Sequence, residues 1–322
     1  MAVHAARKGI TLMEVLISIG ILAIGLTSVV SLVPAGQSQA ARAVILDRAA
    51  AAVANGLHDA VTYGLTKPDS VAFDNGTGGP VWVIDPVVQR SGVLASTIFP
   101  NAVGAWLKPS GVYSQASSLP GTASWPVTQL IGQSRDDVVL KAGPGADDAP
   151  LNVVDGNGVR MFNGRMTCLF SVARADNQLT TSPGAGDVAK LTVVAFHNRD
   201  QVTPAAGFVP AAFDGARLTI LPADIPSGRT LKEIVRPGVV IYDPNKILKT
   251  NQYQRWSQVL MGSVDSTDGT VYVTFSSPPP GINDADGDGA PDAGTLPVRI
   301  LLDSVGMAEQ MVVLEGPGPY SK

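Results

Sequence analysis

From Ile10 to Val33 the chain reads ITLMEVLISIGILAIGLTSVVSLV, with Glu14 as its single charge. At about 1.5 Å per residue, a helix of that length covers roughly 36 Å, more than a hydrocarbon core of ~30 Å. Arg7 and Lys8 precede the run, whereas Arg42 and Arg48 beyond it are balanced by Asp47 and Asp59. That asymmetry predicts a single pass with a cytoplasmic amino end and a large exported C-terminal part. No later stretch is long and apolar enough to span again. A cleaved secretory signal has a shorter apolar core, about 7–15 residues, ending in a small-residue site. Here the Gln39-Ala40-Ala41 option comes late, after Pro34. An ordinary signal anchor accounts for the length and the flanking charges, but not for a carboxylate near the start of the span.

Glu14 has two readings. Thr11-Leu12-Met13-Glu14 fits the S/T-x-x-E capping box, with the carboxylate at the positive end of the helix dipole. Alternatively the carboxylate has an intermolecular partner, because an unpaired charge in a membrane is costly. A cut between Gly9 and Ile10 creates an ammonium four residues from Glu14, which the carboxylate of a neighbouring subunit could meet. Opposite charges at 4 Å attract by about 4 kcal/mol at an effective dielectric of 20, before desolvation is set against them. Pairing of that kind sets the stagger of identical helices packed side by side.

The junction Arg7-Lys8-Gly9-Ile10-Thr11-Leu12-Met13-Glu14-Val15-Leu16 resembles the leader junction of type IV prepilins and pseudopilins. Those chains carry a short basic leader ending in glycine, an apolar first mature residue and glutamate at mature position five. The resemblance implies a leader over residues 1–9, cleavage after Gly9 by a prepilin peptidase, N-methylation of Ile10 and an assembly role for Glu14. It also implies partners: other pilin or pseudopilin subunits and an assembly platform in the inner membrane. Phenylalanine is common in the family where this chain has Ile10. The likeness covers the first 50–60 residues, and nothing beyond them is carried over.

Past the membrane, Leu46, Ala50, Val53, Leu57 and Val61 recur at three- and four-residue steps and predict one apolar stripe, opposite Asp47, Arg48, Asn55, His58 and Asp59. The N-terminal helix is therefore expected over residues 10–62, with a kink or melted turn at Pro34. Residues 63–322 read as an exported β-rich region. Strand-like runs are Val81–Asp85, Val138–Lys141, Met166–Arg174, Leu191–His197, Leu218–Leu221 and Val239–Tyr242. Val259–Val264 and Val271–Phe275 read as a hairpin, Val298–Leu302 and Met311–Leu314 as a final pair, and Pro100–Pro126 as a long loop. The expected fold class is α+β: a long helix on a mainly antiparallel sheet with large loop insertions. The pattern also allows two β-rich lobes dividing somewhere in residues 180–215.

Composition narrows the chemistry. The chain has 322 residues, 45% hydrophobic and 16% charged, and a net charge of −4, so no nucleic-acid footprint is expected. One cysteine, Cys168, excludes an intrachain disulfide framework, and His4, His58 and His197 are far apart. No P-loop, H-E-x-x-H or G-x-S-x-G motif occurs, and no enzyme activity is expected. Gly184-Ala185-Gly186 sits in a loop, Cys168 reads as a buried inert thiol, and Asp136-Asp137 and Asp147-Asp148 as solvated turns. Asp284, Asp286, Asp288 and Asp292, with Gly289 inside the loop, resemble the first part of an EF-hand-type calcium loop, making calcium a candidate ligand although no cofactor is required. Thr295 stands where a bidentate glutamate normally closes such a loop, and a plain acidic loop is the alternative. The reading that follows is a minor pilin or pseudopilin of a type IV pilus or type II secretion-like filament. The alternative is an anchored, calcium-dependent adhesin that does not polymerise.

Overall fold

Leu12–Thr62 winds into one helix, α1, with Pro34 inside it. The structure is a computed structural model. It describes residues 12–73, 79, 81–90, 95–99, 102–107, 140–141, 151–152, 166–175, 183–199, 204–213, 217–243, 256–265, 271–275 and 296–316. The chain divides into two compact units, Met1–Asp47 and Arg48–Lys322. Of the kink or melted turn expected at Pro34, the melted turn does not form: α1 stays helical through it. A proline removes one rung of the hydrogen-bond ladder, and the residues on both sides keep helical geometry. The helix stops at a glycine with φ +83°, Gly64. Leu65 N–H donates to Ala60 O and Gly64 N–H to Val61 O, the reciprocal pattern of a Schellman cap.

Within the second unit, the buried face of α1 is Ala49, Val53, Gly56 and Ala60. This corrects the expected stripe. Val53 belongs to both, but Ala50 is exposed, Leu57 half-buried, and Leu46 and Val61 are 44% and 41% exposed. The reason is distance. A Cβ on Gly56 would stand 2.9 Å from Val193 Cγ1 and 3.4 Å from Phe170 Cε1, so the helix backbone sits almost on the sheet. Only the smallest side chains fit such a contact, and the bulky ones turn away.

That sheet has six strands: β1 (Val71–Phe73), β2 (Val81–Ile84), β3 (Val103–Leu107), β6 (Met166–Arg174), β7 (Val188–His197) and β14 (Ser304–Val313), in the order β1-β3-β2-β6-β7-β14. All its neighbours are antiparallel except β2 and β3. Short helices α2 (Pro86–Arg90) and α3 (Ala95–Ile98) join β2 to β3, and β4 (Leu140–Lys141) pairs separately with β5 (Leu151–Asn152). In the β6/β7 register Phe170 faces Val193 and Cys168 faces Ala195; this side meets α1. The alternate residues Leu169, Val194 and Phe196 join a second core with Phe208, Val240, Tyr242, Trp256 and Leu301. Both faces are covered, so these strands read as continuous apolar runs rather than alternating ones.

The second core leads into a closed barrel of β8 (Phe208–Phe213), β9 (Arg217–Thr219), β10 (Val240–Tyr242), β11 (Trp256–Val264), β12 (Val271–Phe275) and β13 (Leu296–Leu301), ordered β10-β11-β12-β9-β8-β13. Side chains fill its interior, among them Val209, Phe213, Ile241, Val259, Val271, Val298 and Ile300, as in other small barrels. The four-residue helix α4 (Leu231–Ile234) opens on a capping box between Thr230 and Glu233 and contributes Ile234 to that core. Its end lies so close to β11 that a Cβ on Gly262 would collide with the Val235 carbonyl oxygen.

The β11–β12 hairpin forms as expected, with a bulge between Val259 and Met261. Two expectations fail. Strand β3 lies inside the stretch read as a loop from Pro100 to Pro126, because Val103-Gly104-Ala105-Trp106-Leu107 is short and flanked by proline and glycine. The final pair is not a pair: β13 bonds to β10 and β8 in the barrel, while β14 bonds to β7 in the sheet. Asp303, with φ +60°, turns the chain from one sheet into the other.

The close α1–sheet contact makes a contrast. Gly56→Leu forces four carbons into a filled site and is expected to cost about 1–3 kcal/mol, read as a lower midpoint in chemical denaturation. Ala50→Leu, on the exposed side of the same helix, should stay within about 0.5 kcal/mol of the parent.

Candidate functional site

The residues from Leu12 to Val33 carry large apolar side chains on every side of the helix, and none is buried: Leu12 is 79% exposed, Ile24 74% and Leu32 68%. Mean hydropathy over the most apolar window is 2.4. A helix apolar all round must be covered by lipid or by other apolar helices. Its hydroxyls are already satisfied within the helix. Ser18 donates to Glu14 O at 2.8 Å, Thr27 to Ala23 O at 2.8 Å, and Ser28 and Ser31 to Gly25 O and Ser28 O at 2.7 Å each. Such back-bonding lets Ser and Thr sit at membrane depth without an orphaned polar group.

Glu14 lies in the first turn of α1 and shares one side of the helix with Val15, Ser18, Ile19 and Leu22, which together line a groove. A carboxylate offers hydrogen-bond-accepting oxygens only, and here it stands among aliphatic side chains near the positive end of a helix. Gly9 and Ile10 lie outside the described residues, as does Thr11, the partner in the capping-box reading.

Residues 4–30 match the family model described as the prokaryotic N-terminal methylation motif. This is the prepilin signature. The matched segment contains Gly9, Ile10 and Glu14 and ends within the exposed apolar stretch. Comparison with curated proteins returned no match, and neither did comparison with solved structures. The prepilin signature therefore speaks for the N-terminal helix, and the β-rich unit stands on its own geometry.

In that unit the other singled-out residues fall into structural places. Cys168 is buried under α1, its thiol 3.7 Å from the Ala52 carbonyl oxygen. Burial, and secondarily the charge of Asp59, push its pKa up to about 12. Its thiolate, the nucleophilic form, is thus suppressed. His197 ends β7, its backbone N–H donating to Asp303 O at 2.8 Å. Gly184 and Gly186 form the turn before β7: Gly184 N–H donates to Asp187 Oδ2 at 2.6 Å, and Gly186 takes φ +86°. Among the described residues no three His, Cys, Asp or Glu side chains gather as a metal site. Asp284, Asp286, Asp288, Asp292 and Thr295 lie outside the described residues, as do Asp136-Asp137 and Asp147-Asp148.

The sequence reading missed Asp85 and Arg199. They form a buried ion pair, 2.7 Å between Arg199 Nη2 and Asp85 Oδ2, with side chains 1% and 0% exposed. No local pattern signals a pair 114 residues apart.

The thiol makes a direct prediction. Because the pKa is raised, thiolate is scarce at all pH values well below 12 and grows only as pH approaches it. Native protein at pH 8 should resist alkylation by iodoacetamide for hours, while protein in denaturant, whose free thiol has its ordinary pKa near 8.5, should be labelled within minutes. Mass spectrometry of the peptide containing Cys168 reads the difference.

Proposed function

We propose that the chain is a structural, non-catalytic subunit, a minor pilin or pseudopilin, of a type IV pilus or type II secretion-like filament. It is held in the inner membrane by α1 with its amino end cytoplasmic and its β-rich unit periplasmic. A prepilin peptidase removes residues 1–9 and methylates Ile10. An assembly platform then moves the subunit into a fibre, where Glu14 of one copy meets the terminal ammonium of a neighbouring subunit. The supporting observation is the methylation motif at residues 4–30 on a helix that carries large apolar side chains on all sides from Leu12 to Val33. The size of the exported region, residues 63–322, favours a minor, tip or pseudopilus place over that of a slim major subunit.

The processing step is tested by mass spectrometry of the mature protein from cells that hold the peptidase. The expected chain starts at N-methylated Ile10; an intact Met1, or a start near Ala40, overturns the reading. In the same cells Glu14→Ala should insert normally in the membrane yet be depleted from sheared fibres by tenfold or more. Undiminished incorporation would return Glu14 to helix capping.

A second reading rests on the spacing of Asp284, Asp286, Asp288 and Asp292. Four carboxylates in so short a span repel one another unless a hard cation sits among them. We infer that this segment binds calcium, on a subunit that serves either as a filament component or as an anchored adhesin. It connects β12 to β13, which are separated by two strands in either direction around the barrel. Calcium should therefore raise the melting midpoint by several degrees, a chelator should reverse the rise, and Asp286→Ala should abolish it. A midpoint indifferent to calcium and chelator refutes the site.

A further inference from the structure

Strand β14 forms one edge of the six-stranded sheet and β1 the other. The two edges differ in length. β1 has three residues, whereas β14 runs from Ser304 to Val313 and pairs along one side with β7. An edge strand presents a row of backbone N–H and C=O groups to any other chain, and proteins commonly blunt it by shortness, proline, lysine or a bulge. Shortness blunts β1. Strand β14 contains neither proline nor lysine, and its register shift lies at Ser304/Gly306, so Gly306–Val313 keeps unbroken register with β7. Its one charge, Glu309, is turned back onto β7: the carboxylate lies 3.3 Å from Lys190 Nζ and accepts from the Thr192 hydroxyl at 3.3 Å. Nearby, Met311 and Val313 are 55% and 63% exposed, on the same face as Val188, itself nearly half exposed.

We propose that the free edge of β14 receives one extended strand of a different subunit, which continues the sheet. Met311, Val313 and Val188 alone fall well short of the ~800 Å² that each partner buries in a stable interface, so side chains are not the main attachment. An added strand supplies it through main-chain hydrogen bonds, with its alternate side chains on the apolar face. The edge defines its occupant: apolar residues at every second position, opposite Met311 and Val313, and no required charge, because Lys190 already neutralises Glu309. A second copy of β14 does not fit, and here the proposal rests on the filament reading. A Cβ on Gly306 would stand 3.5 Å from Ala49 Cβ, and Glu315 N–H donates to Thr66 O at 2.8 Å. The end of α1 and β14 therefore run the same way. A closed pairing of β14 with itself is two-fold and antiparallel, which reverses Ala49–Ala60 between copies and opposes the parallel packing of α1 in a filament. The occupant is thus a segment of different sequence on a neighbouring subunit.

Hydrogen exchange of the full chain in detergent micelles tests the edge without a fibre, so its outcome is separate from that of the filament reading. The probe is a synthetic peptide with the sequence of Val188–His197, whose side chains already fit β14 from its other side. In excess, it should slow the outward-facing amides of β14 at least tenfold and leave β8 and β10 unchanged. The same peptide carrying Thr192→Pro, which breaks the strand, should give no slowing. In the chain variant Met311→Lys/Val313→Lys the melting midpoint should match the parent, because both side chains face solvent, and the protection by peptide should vanish. Unchanged β14 exchange in excess peptide overturns the proposal. Protection that survives in the lysine variant also overturns it, since the peptide then sits elsewhere. So does protection that rises with protein concentration in the absence of peptide, because a second copy then fills the edge.

Discussion

The close seating of Ala49, Val53, Gly56 and Ala60 on β6 and β7 is the constraint on which the β-rich unit depends. With Gly56 almost against Val193 and Phe170, one face of the central strands is sealed by helix backbone rather than by long side chains. The other face is sealed by the core shared with the barrel. Dispersion and water exclusion at both faces then hold a strand pair that is mostly apolar, with Thr167, Ser171 and Thr192 buried among its hydrophobic residues. The same contact hides Cys168 and raises its pKa, in keeping with the buried, inert thiol that its apolar run led us to expect.

Helix α1 serves two surroundings with one composition. Where it faces the sheet it presents its smallest residues, and from Leu12 to Val33 it presents large apolar ones in every direction. Its Ser and Thr hydroxyls turn back on the helix's own carbonyls, leaving Glu14 as the strongly polar group on that surface. The methylation motif at residues 4–30 accords with a helix apolar enough to anchor the chain in a membrane.

What was legible in the sequence was local. The prepilin junction is a contiguous motif, and Met166–Arg174 was read to the residue because a doubly covered strand leaves a dense run of apolar and small residues. The β11–β12 hairpin showed itself by two apolar runs and a polar turn. Signals failed wherever distant contacts decide. The stripe on α1 was misplaced because hydrophobic periodicity gives weight to Leu and Val, whereas close approach selects Ala and Gly. Only the end of β14 was recognised, since Glu309 and Gln310 break its apolar run; Glu309 is held there by Lys190 at 3.3 Å and by the Thr192 hydroxyl. Asp85 and Arg199 each look like ordinary surface residues until the fold joins them.

The route of the chain also sets an order of events. Strands β7 and β14 lie side by side over nearly their whole length, yet all six strands of the barrel come between them in sequence. The neck is narrow: His197 N–H reaches Asp303 O, and Leu302 N–H reaches Gly207 O, both at 2.8 Å. Bringing β14 home across an unstructured span carries a loop-closure entropy that a finished barrel largely removes, since the barrel itself holds the two ends of that span together. The barrel is thus a clasp for its own host sheet, and during synthesis the sheet's last edge waits on the completion of a module inserted within it.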